Sequence, residues 1–186
     1  MSDAPSDWPE TIRIVEAARF TPSAPLKRRL EADAAVRARI AKQLGLVAVD
    51  RLQADLALSG WFDGLRIEGD WSADIVQTCG LSAEDFPVSL SGTFDVRAVP
   101  PSSPHASQDA EPEIEIDLEA DDPPDVLESD VVDLGGYVVE HLALEIDPFP
   151  RKPGAEFQPP KETGELSPFA VLKALKTGGS DGEGQA

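Results

Sequence analysis

One cysteine, Cys79, is all the thiol this chain of 186 residues contains. A single thiol closes no internal disulfide and builds no thiolate zinc cage. Basic residues are scarce as well: 16 Lys and Arg stand against 35 Asp and Glu, a formal charge of -19. Affinity for nucleic acid comes largely from Lys and Arg displacing counterions, so a chain this acidic is ill suited to gripping bare RNA or an anionic membrane over its whole surface. A basic protein is the easier match. Long apolar runs are missing too. None approaches the roughly 20 residues of a membrane helix, and Met1-Ser2-Asp3-Ala4-Pro5 lacks the basic start and apolar core of a signal peptide. The cytoplasm is the expected compartment.

Catalytic constellations are equally sparse. There is no H-E-x-x-H pair, no G-x-S-x-G elbow, no G-x-x-x-x-G-K-[ST] phosphate loop and no G-x-G-x-x-G. His105 lies in a Pro/Ser-rich stretch where fixed geometry is hard to maintain, and His141 lies in an expected helix, where a lone His is more often structural than a general base. Cys79 has no basic neighbour in the local sequence to draw it toward thiolate and reads as a strand-end cysteine. Asp121, Asp122, Asp125 and Glu128 could attract a hard cation, but Pro123-Pro124 interrupts them and their spacing is not that of an EF-hand loop. Weak non-specific cation binding is the plain reading, with a catalytic metal as the minor alternative. The sequence calls for no cofactor and no dedicated metal site.

What is present is a body of alternating and helical patterns. Residues 1–9 read as a loose terminus. Thr11 to Val15 reads as a short strand with Ile12 and Ile14 on one face, and Thr21 to Pro25 as a turn-rich link followed by a helix. In that helix Val36, Ile40 and Leu44 recur every fourth residue, and Gly45 can end it in the left-handed conformation. The period then becomes two. Leu52, Ala54, Leu56 and Leu58 form one apolar set, Leu65, Ile67, Trp71, Ala73 and Ile75 a second, and Phe86, Val88, Leu90, Phe94 and Val96 a third. Short links between three such strands favour an antiparallel meander. The expected class is α+β: an antiparallel sheet, covered by helices or curled into a barrel, with an N-terminal helix and two C-terminal helices around it.

The rest follows as a β-rich core over 10–99, a Pro/Ser linker over 100–112, an acidic segment with C-terminal helices over 113–176, and a Gly-rich tail over 177–186. Glu113 to Leu118 alternates like an edge strand whose acids discourage further pairing. Val131-Val132 extends strand structure. Asp133 can cap a helix that presents Leu134, Val138, Leu142 and Ile146 on one face before Pro148, and Ser167-Pro168 opens a last short helix.

Charge is distributed unevenly. From Ala98 to Pro150 no Lys or Arg occurs in 53 residues that hold 15 acids. Bases gather before and after, at Lys27, Arg28, Arg29, Arg37, Arg39 and Lys42, and at Arg151 and Lys152. The two regions could neutralise one another, or the acids could be a solvated surface. The sharper reading is an acidic face for a basic protein, with Glu115, Asp117, Glu119, Asp121, Asp122 and Asp125 as candidate contacts. Arg151 and Lys152 are candidate contacts of the opposite sign, and Trp61-Phe62 is either a binding edge or core packing.

The C-terminal third carries the most specific text. Asp133-Leu134-Gly135, Glu140-His141-Leu142, Arg151-Lys152-Pro153-Gly154-Ala155-Glu156-Phe157 and Ser167-Pro168-Phe169-Ala170-Val171-Leu172 occur in that order. With Cys79 upstream, this resembles the YceD family of bacterial and plastid proteins, named for large ribosomal RNA subunit accumulation, and its alphaproteobacterial branch in particular. Cys79, Asp133, Glu140, Pro153, Gly154, Phe157, Pro168 and Phe169 are the residues that carry the likeness. Many members have Cys-x-x-Cys where this chain reads Cys79-Gly80-Leu81-Ser82, so a metal or redox role for that pair is not expected here. The resemblance implies support of 23S rRNA accumulation and large-subunit biogenesis without an established catalytic chemistry. The implied partners are a basic large-subunit ribosomal protein or a pre-large-subunit particle, with RNA contact indirect or localised and no membrane. A metal-dependent ribonuclease acting through the Asp121/Asp122/Asp125 cluster is the competing expectation.

Overall fold

A computed structural model describes residues 8–106 and 122–156. The elements, in order, are β1 (Thr11–Arg13), α1 (Ile14–Ala17), β2 (Leu26–Glu31), α2 (Ala34–Gln43), β3 (Ala48–Trp61), β4 (Gly64–Thr78), β5 (Asp85–Val99), β6 (Asp125–Val126), β7 (Val131–Asp133) and α3 (Leu134–Glu145). The period-two segments form the expected meander: β3 to β4 and β4 to β5 pair antiparallel along nearly their full lengths. β2 adds antiparallel to β3, and β6 adds parallel to β5, giving the order β2-β3-β4-β5-β6. β1 and β7 form a separate two-stranded ladder.

Alternation sorts the residues as it should. Leu52, Ala54, Leu56 and Leu58 are buried, as are Leu65, Ile67, Trp71, Ala73 and Ile75. On the opposite face Arg51 meets Asp74 at 2.7 Å and Arg66 meets Asp95, as suits a sheet with one side in water. The apolar face is covered by α2 through Val36, Ile40 and Ala41, and by α3 through Val138, Val139 and Leu142. α2 has the N-cap its sequence offers: Asp33 accepts from Val36 N at 2.8 Å. It ends at Gly45, with φ +66°.

Five readings change. No sheet among the described residues closes into a barrel, because β2 and β6 remain as its two margins. The segment after Pro25 is a strand rather than the start of a helix: Lys and Arg tolerate a helix, but Leu26 to Glu31 pairs residue for residue with Leu58 to Gln53. The strand begun at Thr11 stops at Arg13, and Ile14 opens a helical turn that leaves Val15 exposed. The loose terminus does not extend to residue 9, because Trp8 is only 2% exposed and sits in the core. The Pro/Ser stretch is folded in its described part: Ser103 is buried, and its hydroxyl donates to Asp63 at 2.8 Å. The edge strand expected at Glu113 to Leu118, the Gly-rich tail and the helix expected after Ser167 lie outside the described residues; α3 is the C-terminal helix within them. Among the described residues no helix is long and apolar enough to cross a membrane.

Candidate interaction site

Three surfaces gather the residues that the sequence singles out. The first is built on the start of α3. Asp133 caps it as expected, accepting from Gly136 N at 2.9 Å. Two further unpaired N–H groups of the first turn, those of Leu134 and Gly135, donate to the Glu10 carbonyl at 2.8 and 3.1 Å. One turn on, the Tyr137 hydroxyl donates to Asp125 Oδ2 at 2.9 Å and ties α3 to β6. Burial first, and then the neighbouring Asp125 carboxylate, hold the phenol above its ordinary pKa, so it stays a donor. Between β6, β7 and α3 runs a groove of about 460 Å³ whose lining includes Asp125, Val126, Val131, Asp133, Tyr137 and Glu140. Among the described residues no Lys, Arg or His lines it. Asp122 lies on a neighbouring groove with Asp95, Arg97 and Asp125. Glu115, Asp117, Glu119 and Asp121 lie outside the described residues.

A described ion pair reaches into the acidic stretch. Arg13 reaches Asp130 at 2.7 Å. Arg51, Arg66 and Lys152 instead pair with Asp74, Asp95 and Glu84, outside the acidic stretch. Among the described residues no group of three or more His, Cys, Asp and Glu is placed to share one metal ion.

The second surface is the arm after α3. It lies across the end of the β4–β5 hairpin and is fixed there by main-chain contacts: Gln77 Nε2 donates to the Asp147 carbonyl at 3.1 Å and Gly80 N to the Pro150 carbonyl at 2.9 Å. Cys79 is the third anchor. Its buried Sγ accepts from the main-chain N–H of Leu81, Ser82 and Lys152 at 3.4, 3.4 and 3.3 Å. The Ser82 side chain, followed by the Lys152 N–H, holds the thiol below its ordinary value, at about 6. The local sequence shows no basic activator because the largest contribution comes from the uncharged Ser82 nearby, and the Lys152 N–H arrives from 73 residues away. Lys152 also spends its ammonium on Glu84 at 3.0 Å, which leaves Arg151 as the exposed base of the pair, near Phe149 at 79% exposure. Pro153 and Gly154 continue this arm, Gly154 with φ +78°; Phe157, Pro168 and Phe169 lie outside the described residues.

The third surface is the β3–β4 turn. Phe62 is 71% exposed with φ +49° and stacks on His105, centroids 4.1 Å apart and planes at 25°. Trp61 meets Phe62 edge-on at 4.8 Å, and Arg97 lies 5.5 Å over the Trp61 ring. Sequence reading left Trp61-Phe62 open and missed His105, which is held by this stack. His141 has a structural place: it stacks on Phe94 at 4.3 Å, with Nδ1 2.8 Å from the Tyr137 carbonyl.

The family description "Large ribosomal RNA subunit accumulation protein YceD" matches residues 67–176, more than half of the chain. The chain belongs to the YceD family. The matched region starts within β4 and takes in Cys79, β5, β6, β7, α3 and the arm, so all of the acid-lined groove falls within it. The family is linked by its description to large-subunit ribosomal RNA accumulation. No curated protein and no solved structure matches the chain.

Proposed function

We propose that this YceD-family chain is a non-catalytic factor in large ribosomal subunit biogenesis, supporting 23S rRNA accumulation by binding a basic large-subunit ribosomal protein or a pre-large-subunit particle. The observation that carries the reading is the one-signed charge of the 98–150 region on a member of a family with this description: 15 acids and no Lys or Arg. Charge of this density steers a basic partner into contact and repels naked phosphate backbones. RNA accumulation then follows because a delivered protein protects the transcript it assembles with, and any RNA contact is indirect or confined to the basic residues. Within the family, we read the chain as a member of the alphaproteobacterial branch, on the strength of the segments Arg151 to Phe157 and Ser167 to Lys176.

The test is recovery of ribosomal proteins or pre-subunit particles on the immobilised protein at moderate salt. Neutralising several acids between Glu111 and Asp130 should weaken the complex and flatten its salt dependence. Binding unchanged by those substitutions rejects the acidic-face mechanism. Incubation with precursor RNA and magnesium or manganese tests the ribonuclease alternative, and specific cleavage that is lost with Asp125→Asn would replace the non-catalytic reading.

A further inference from the structure

The groove between β6, β7 and α3 has two kinds of wall. Val126 and Val131, 47% and 40% exposed, offer aliphatic surface at its rim, and Tyr137 offers a ring. Asp125, Asp133 and Glu140 supply carboxylates with no base among its described lining residues. At about 460 Å³ it falls within the roughly 300–1,000 Å³ of ordinary ligand pockets. Among the described residues no three acids here converge closely enough to share one metal ion. Separated carboxylates beside aliphatic surface instead suit a cation carried on a long aliphatic stem, which buries its methylenes and keeps its charge among acceptors. A ring beside that path adds attraction for the cation.

The strand pattern supplies a main-chain counterpart. Leu127 N donates to Val99 O at 2.9 Å, so the polar groups of Leu127 and Asp125 face β5, and by strand alternation those of Val126 face away from it. At the opposite margin of the sheet, β2 carries Lys27, Arg28 and Arg29. A cationic segment is therefore repelled from one edge and drawn to the other.

We infer that this groove is the docking site for a Lys- or Arg-bearing segment of a basic protein, the basic side chain lying over Val126, Val131 and Tyr137 with its charge among Asp125, Asp133 and Glu140. The inference rests on the proposed basic-partner function and names where that partner is held.

The probe is a blocked heptalysine peptide titrated into the isotope-labelled full chain, read by backbone amide shifts. Shifts that saturate together at Val126, Leu127, Val131, Gly136 and Tyr137 are the expected result. Glu140→Gln combined with Asp125→Asn should weaken binding at least tenfold while the remaining spectrum stays native. Val126→Ser, which leaves the charge untouched, should weaken it about threefold, an effect diffuse charge attraction would not produce. Lys27→Gln should not weaken it. Saturation at another acidic surface overturns the groove and leaves the basic-partner function standing. Absence of saturable binding anywhere on the chain overturns both.

Discussion

Replacing Gly135 by Ala sets two well-known effects against each other. Ala is favoured over Gly inside a helix by about 1 kcal/mol, so propensity alone makes the variant more stable. Packing opposes it. A Cβ on Gly135 would lie 2.1 Å from the Trp8 carbonyl oxygen and 2.9 Å from Trp8 Cβ, well short of contact distance. The nearest obstacle is main chain and cannot rotate away, and Trp8 itself is buried. The first turn of α3 would have to move off the Trp8–Glu10 segment, stretching the bonds from Leu134 and Gly135 to the Glu10 carbonyl. Overpacking costs roughly 1–3 kcal/mol, and two weakened hydrogen bonds roughly 0.5–1.5 kcal/mol each. The net expectation is a loss of about 2–3 kcal/mol, or about 5–10 °C in Tm for a domain of this size. Urea unfolding followed by far-UV circular dichroism measures it, with a lower midpoint at unchanged slope. A midpoint equal to or above that of the parent chain would show that α3 does not dock on Trp8 in this way.

Asp133→Ala removes the α3 cap and should cost about 1 kcal/mol, with Asp133→Asn or Asp133→Ser recovering most of it; equal stability of all four proteins in the same unfolding assay would refute the capping role. Ser59 is 1% exposed and its Oγ has no hydrogen-bond partner among the described residues, so Ser59→Ala should stabilise by about 1 kcal/mol. A loss of stability would mean that the hydroxyl is satisfied. Cys79, the single thiol, should titrate near pH 6 when followed by thiolate absorbance, against about 8.5 for an unperturbed cysteine. Its pKa is depressed in the fold, so its contribution to stability is complete above the unfolded value and fades as pH falls from about 8.5 through 6. A thiol titrating at 8.5 in the native protein would refute the hydrogen-bonded anchor.

Period and caps made much of the fold readable. The three alternating sets became β3, β4 and β5, and Asp133 and Gly45 mark helix ends where local chemistry demands them. Contacts made far along the chain escaped. β2 exists because β3 is there to pair with, and nothing in Leu26 to Glu31 alone chooses strand over helix. Trp8 was hidden among polar residues at a terminus, although a lone Trp in such company is a signal that it docks elsewhere. At the site, the acid excess of 98–150 was visible from composition, but its assembly with Tyr137 and the two valines into a groove depends on β6 adding parallel to β5. The same holds for Cys79, whose donor on Lys152 no local reading could supply, and for His105, placed by a stack with Phe62.

Sedimentation of the purified chain with pre-large-subunit particles tests the central claim most directly. The account predicts co-migration at low salt, release at high salt, and loss of co-migration for the Asp125→Asn/Glu140→Gln protein while its unfolding midpoint is kept. A chain that stays at the top of the gradient would contradict it, and one that binds particles equally well with those carboxylates neutralised would overturn the groove as the docking site.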